Sequence, residues 1–239
     1  MKHEYIVRAS SVGALMSKGR AKGVEWGETA LNEIKKAVLF NKYGIRDEIN
    51  SKYIEKGIYN EMESILTASR VLDWNFDVMA PKQRFVNEWV TGEPDIWRAN
   101  PELLGDVKSS WDATTFPFMD SELKNKTYDY QMQTYIWLTG AKQCELCYVL
   151  TNTPEHIIND QIQRLMYKIS ARPENAMRDL SEIELEAEQM IKGNAIFDQI
   201  PIQKRVKRFI IERNDEMIED IKQRVESARE IYDTIYKSI

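Results

Sequence analysis

Apolar and polar positions follow two different rhythms along this chain, and the switch between them marks out its elements. Over residues 29–40, Leu31, Ile34, Val38 and Phe40 recur at helical spacing, which predicts an amphipathic helix with this set near one face. A longer helix is predicted over residues 46–71, where Tyr53, Gly57 and Glu61 fall four apart and share a face. A glycine inside a helix costs roughly 1 kcal/mol relative to alanine, so close packing against the backbone is expected at Gly57. Over residues 77–110 the period becomes two. Residues 83–90 and 92–97 read as strands, 98–102 as a turn and 103–108 as the returning strand. A helix over residues 128–140 ends on Gly140, as helices often do, and a strand over 145–150 follows it.

The later chain changes character. Residues 153–199 read as wholly helical, acidic over 181–188, with one interior break at Arg172-Pro-Glu174, and are expected to be an insertion or a partner-binding arm. Residues 202–211 alternate like a strand and carry four positive charges, and residues 214–238 form an amphipathic helix. The β–β–β–α–β run flanked by helices predicts an α/β fold. Its expected form is a mixed central β-sheet between helices, with a helical insertion at about residues 153–199 and a C-terminal helix. The 239 residues fit one domain.

Composition narrows the partners. At 43% hydrophobic and 30% charged, the chain reads as an ordinary globule. Its net charge of −5 argues against a generally basic coat, so any nucleic-acid contact must come from local patches. One such patch is the glycine-rich loop of residues 17–23, with Lys18, Arg20 and Lys22. It suits either a solvated connection or a clamp on phosphates, and Trp26 beside it is the tryptophan expected to touch DNA. Tryptophans 74, 89, 97, 111 and 137 are expected in the core. Cys144 and Cys147, three apart on a strand, should point to opposite faces and pack rather than bridge. His3 and His156 have no partner pattern. No apolar run approaches the length of a membrane span, and the N-terminus lacks a signal-like core, which leads to an expected cytoplasmic location.

The candidate chemistry lies in Thr91-Gly-Glu-Pro-Asp95 and Leu103-Leu-Gly-Asp106-Val-Lys108. A hairpin would bring Asp95 near Asp106 or Lys108. Charges on apolar strands need partners, and a metal ion is one of the few that offset their burial. Mg²⁺ takes hard oxygen ligands, which Asp95, Asp106 and Glu61 supply, with the Val107 carbonyl as a further donor. Lys108 leaves the same strand face as Asp106, where an ammonium can orient an attacking water.

Glu61 with Gly57 before it, Gly92-Glu-Pro-Asp95, Asp106-Val-Lys108 and Gln131-x-x-x-Tyr135 together resemble the PD-(D/E)XK nuclease superfamily, in the RecB-type branch with a Gln-x-x-x-Tyr helix. The chain is more similar still to the viral-recombinase exonucleases of the phage lambda type, from Val7 to Thr139 and again from Lys204 onward. This resemblance implies a deoxyribonuclease using Mg²⁺, with Mn²⁺ an alternative, at two ions per site. Its action would be exonucleolytic on ends of linear duplex DNA, 5′ to 3′, in phage-type recombination. Asp95 and Asp106 would bind the metals, Glu61 would serve the second ion, Lys108 the water, and Gln131 would approach the scissile region. Ser10 matches a serine that helps hold a 5′-phosphate. His3 stands where the family has an arginine, leaving Arg8 or a loop lysine to substitute, and Tyr135 joins the expected DNA contacts. The family's usual glutamate is Asp106 here. A ring-shaped homotrimer and a single-strand annealing protein are the implied partners. A RecB-like nuclease of another polarity, a defence endonuclease and a catalytically silent DNA-binding module are the alternatives.

Overall fold

The computed structural model describes residues 4–21, 23–46, 51–77, 79–100 and 102–239, and the expectations on His3 and Lys22 lie outside these. Its main sheet contains β4 (Ile96–Ala99), β5 (Glu102–Ser109), β6 (Gln143–Val149) and β7 (Val206–Glu212), hydrogen-bonded in that order. Only the β5–β6 pair is parallel. A parallel pair needs a crossover, and α5 (Lys126–Thr139) supplies it, ending on Gly140 in the left-handed conformation at φ 75°. The single sheet expected from the sequence is instead two. Strands β1 (Val7–Arg8), β2 (Phe85–Val86) and β3 (Val90–Gly92) form a separate small sheet, split from β4 at Glu93-Pro94-Asp95. A proline cannot donate to a ladder, so pairing ends where Pro94 stands.

Alternation sorts the main sheet's side chains into two cores. Leu104, Cys144 and Leu146 face α5 through Met132 and Ile136, whereas Leu103, Val107, Cys147 and Val149 face Ile65 and Ala68 of helix α4 (Glu61–Val71). The two cysteines are therefore buried on opposite faces, and burial pushes both thiols up. A third core joins α1 (Ala9–Leu15), α2 (Glu28–Tyr43) and α8 (Asp215–Ser238) around Val12, Ile34, Val38 and Val225. Phe40 does not join it. It lies exposed, two residues and about 200° round the helix from buried Val38.

The helix expected over residues 46–71 is two, α3 (Lys52–Tyr59) and α4, broken at Asn60. Asn60 is buried because its amide donates to Thr151 Oγ1 at 2.8 Å and to the Asn152 carbonyl at 2.7 Å. Those bonds tie the break to the chain leaving β6 and make Glu61 the first residue of a new helix. Gly57 faces open space, contrary to the close packing expected there. The insertion is likewise two helices, α6 (Glu155–Ser170) and α7 (Leu180–Ala195), with a 3-10 turn at Pro173–Asn175. They close on a small core of their own around Ile158, Ile162 and Ile183. Among the described residues no helix is long and apolar enough to cross a membrane.

Lys56 on α3 is almost wholly buried, with its ammonium donating to the Trp111 carbonyl at 2.7 Å and the Thr151 carbonyl at 2.9 Å. Burial pulls its pKa down from 10.5 to about 8, against the opposing pull of Asp112 and Glu63. Between pH 8 and 10.5 the unfolded chain holds a proton that the folded chain has released, so this group makes stability rise with pH across that window. The slope is roughly 1.4 kcal/mol per pH unit. Urea unfolding at pH 8 and pH 9.5 should show this gain for the native protein relative to Lys56→Met.

Candidate active site

The main sheet opens where β4 and β5 part. Their ladder ends at the Ile96–Gly105 pair, and the next backbone donor on β5, Val107 N–H, is taken by the Asp95 side chain, which accepts it at Oδ2 over 2.8 Å. Asp95 thus acts as a cap for a frayed strand edge, with one oxygen pinned by backbone. Asp106 and Lys108 share the α5-facing side of β5. Lys108 Nζ lies 2.6 Å from Asp106 Oδ2 as an ion pair, although that oxygen accepts no well-angled hydrogen bond and is fully buried. Burial pushes the Asp106 carboxyl up; Lys108 pulls it back, and the nearby Asp95 charge pushes the same way as burial. Burial would lower Lys108, but Asp106 outweighs it and raises the ammonium's pKa.

Glu61 reaches the same end of the sheet through a residue that the sequence pattern does not single out. Lys82 Nζ bridges Glu61 Oε1 at 2.5 Å and Asp95 Oδ1 at 2.6 Å. Burial alone would lower its pKa, but the two carboxylates more than compensate, Asp95 most strongly. Lys82 sits in the segment leading to β2, outside helix and strand, where no periodicity signals a role. The structure therefore links three carboxylates and two ammonium groups in one run of contacts: Glu61, Lys82, Asp95, the β5 backbone, Asp106 and Lys108.

The other expected residues divide by exposure. Gln131 and Tyr135 are buried, with Gln131 Nε2 donating to the Tyr135 hydroxyl at 2.9 Å. Tyr135, expected among the DNA contacts, packs inside the protein here. Its ring fills the space beside Gly92, where an added Cβ would lie 2.7 Å from Tyr135 Cε1. Gly92→Ala should cost about 1–3 kcal/mol by overpacking, measurable as a lower urea midpoint. Arg8 and Ser10, at the start of α1, are exposed, as are Lys18 and Arg20. Trp26 is half-buried with the Arg224 guanidinium 3.4 Å from its ring centre, so that face is already covered. An open cavity of 390 Å³ adjoins Lys108 and is lined by Tyr53, Trp111, Tyr128 and Tyr148.

Against known proteins, no family model matches the chain and no curated protein matches it. Solved structures do. A phage-related exonuclease from Haemophilus somnus 129PT superposes with a TM-score of 0.74 at 27% identity, covering 99% of this chain and 96% of that one. An alkaline exonuclease from Laribacter hongkongensis, LHK-Exo, superposes with a TM-score of 0.61 at 15% identity, over 98% of this chain and 90% of that one. The same enzyme in complex with dAMP gives a TM-score of 0.58 at 15% identity, with the same coverage. This chain has the exonuclease fold. Its mixed sheets between helices and its C-terminal helix, Asp215–Ser238, lie within a superposition that spans 99% of the chain.

The donor set suits a hard divalent ion. The carboxylates supply oxygen ligands of the type Mg²⁺ and Mn²⁺ accept, and Asp106 Oδ2 is buried with no hydrogen bond beyond its ion pair with Lys108. Among the described residues, no three His, Cys, Asp or Glu side chains are grouped as a ready-made cage. This fits an ion held by one or two carboxylates, with water and phosphate oxygens completing the shell, as Mg²⁺ commonly is.

Proposed function

We propose that the protein is a Mg²⁺-dependent exonuclease that degrades one strand of linear duplex DNA, 5′ to 3′. The observation that carries this reading is the contact run from Glu61 through Asp95 to the Asp106–Lys108 pair, at the open end of a sheet whose fold is shared with exonucleases. Asp95, Asp106 and Glu61 would hold the metal, with the Val107 carbonyl as a further donor. When bound, a divalent ion polarises the phosphoryl oxygen and lowers the pKa of a coordinated water.

The chain's own residues do the rest. Val107 N–H fixes one oxygen of Asp95, so the carboxylate presents the other in a set direction. Lys108, held against Asp106, offers an ammonium that can orient the attacking water and stabilise its hydroxide form. Gln131 acts as a positioning residue, holding Tyr135 on the α5 side of Asp106. The aromatic cavity beside Lys108 is large enough for a nucleobase to enter and stack. Arg8, Ser10 and the loop residues Lys18 and Arg20 would meet the DNA end and its phosphates, a local basic surface on an acidic protein.

Work in phage-type recombination, beside a single-strand annealing protein and as a ring-shaped homotrimer, belongs to the same proposal. The complete carboxylate set and Lys108 speak against a silent binding module. Linear duplex labelled at either 5′ or 3′ ends, incubated with Mg²⁺ beside a covalently closed circle, tests the reading. The expected result is early release of the 5′ label with the circle intact. Cutting of the circle would identify an endonuclease instead.

A further inference from the structure

Lys82 is absent from the chemistry above, yet it contacts two of the site's three carboxylates, at 2.5 and 2.6 Å. Its ammonium bridges Glu61 Oε1 and Asp95 Oδ1, bringing the two carboxylates to one cation. Asp95 Oδ2 is committed to Val107 N–H, so Oδ1 is the oxygen left for an ion, and Lys82 holds it. An ion with oxygens at about 2.1 Å cannot share that position with an ammonium already seated on the same atoms. The segment carrying Lys82 belongs to neither helix nor strand, so the side chain can withdraw without breaking a ladder. Asp106, in contrast, is paired with Lys108 and lies outside Lys82's direct contacts.

We propose that Lys82 is a resident cation at the Glu61–Asp95 position, holding both carboxylates in place and excluding a second divalent ion until it is displaced. The proposal rests on the metal-dependent reading of the site. The DNA-free protein then takes one ion, at Asp106 with the Val107 carbonyl, and fills the Glu61–Asp95 position only when Lys82 leaves it. Attraction of a divalent ion to the two carboxylates is opposed by the loss of the Lys82 bridge, and a phosphate group arriving with DNA offers the displaced ammonium a new partner.

Calorimetric titration of Mn²⁺ into the full-length, DNA-free protein tests this without any turnover. The native protein should bind one ion, and Asp106→Asn should lose it. Lys82→Gln should bind a second ion, or bind with at least tenfold higher affinity, whereas Lys82→Arg, which keeps the charge, should behave like the native protein. The gain should vanish in Lys82→Gln/Glu61→Gln, and thermal unfolding checks that each variant is folded. Ion binding that depends on Asp106 but is unchanged in Lys82→Gln would overturn the role of Lys82 and leave the metal site standing. No binding to any variant would overturn both.

Discussion

Lys108→Ala is expected to lower the rate of nucleotide release from linear duplex by about 10³-fold, the middle of the range for a positioned proton-handling group. The substitution also leaves Asp106 buried without its nearest counter-charge, because among the described residues Lys108 Nζ, at 2.6 Å, is the cation in ion-pair contact with it. Removing one partner of a buried ion pair costs about 3 kcal/mol or more. These two effects separate cleanly in one experiment. A divalent ion at Asp106 restores the missing positive charge, so Mg²⁺ should raise the variant's melting temperature more than the native protein's, while turnover stays low. A variant that recovers both stability and activity with Mg²⁺ would show that Lys108 serves structure alone.

Arg224→Ala is expected to lose about 3 kcal/mol of stability, read as a shift in the urea midpoint, and to loosen the basic loop. Arg224 lies on α8 but is buried, with Nε donating to the Leu15 carbonyl at 2.9 Å and Nη2 to those of Ser17 at 2.9 Å and Glu25 at 3.1 Å. It binds both ends of the loop that carries Lys18 and Arg20, and its plane covers Trp26. Removal strands the Leu15 and Glu25 carbonyls, leaves that of Ser17 with only the Gly27 N–H, and uncovers the ring. Arg224→Lys should recover little, because a single ammonium cannot span this fork of acceptors and stack at once. Binding of duplex ends should weaken in Arg224→Ala, with a shallower dependence on salt if the loop's contacts to phosphates are lost.

The parts of this molecule that repeat were readable from its sequence, and the parts that depend on one side chain were not. Period-two alternation predicts β5, and helical spacing with a terminal glycine predicts α5, because each burial pattern leaves the same mark at every turn or pleat. The Pro-Asp and Asp-x-Lys spacings fall beside and on strands joined by a short turn, enough to anticipate that Asp95 and Asp106 are neighbours. Asn60 carries no such mark. It breaks the expected helix through bonds to Thr151 and Asn152, residues some ninety positions away in the chain. Lys82 and Arg224 look like ordinary surface charges, and only the fold shows what each one touches. Pro94 did carry a local signal for the sheet's division, as a residue that cannot continue a ladder.

The central claim, that these converging carboxylates serve divalent-metal cleavage of DNA, is tested most directly by nucleotide release from linear duplex. The native protein and Asp106→Asn should be compared with Mg²⁺ and with a chelator. The expected result is release by the native protein with Mg²⁺ and almost none in the other three conditions. Equal release by Asp106→Asn, or release that persists in the chelator, would contradict it.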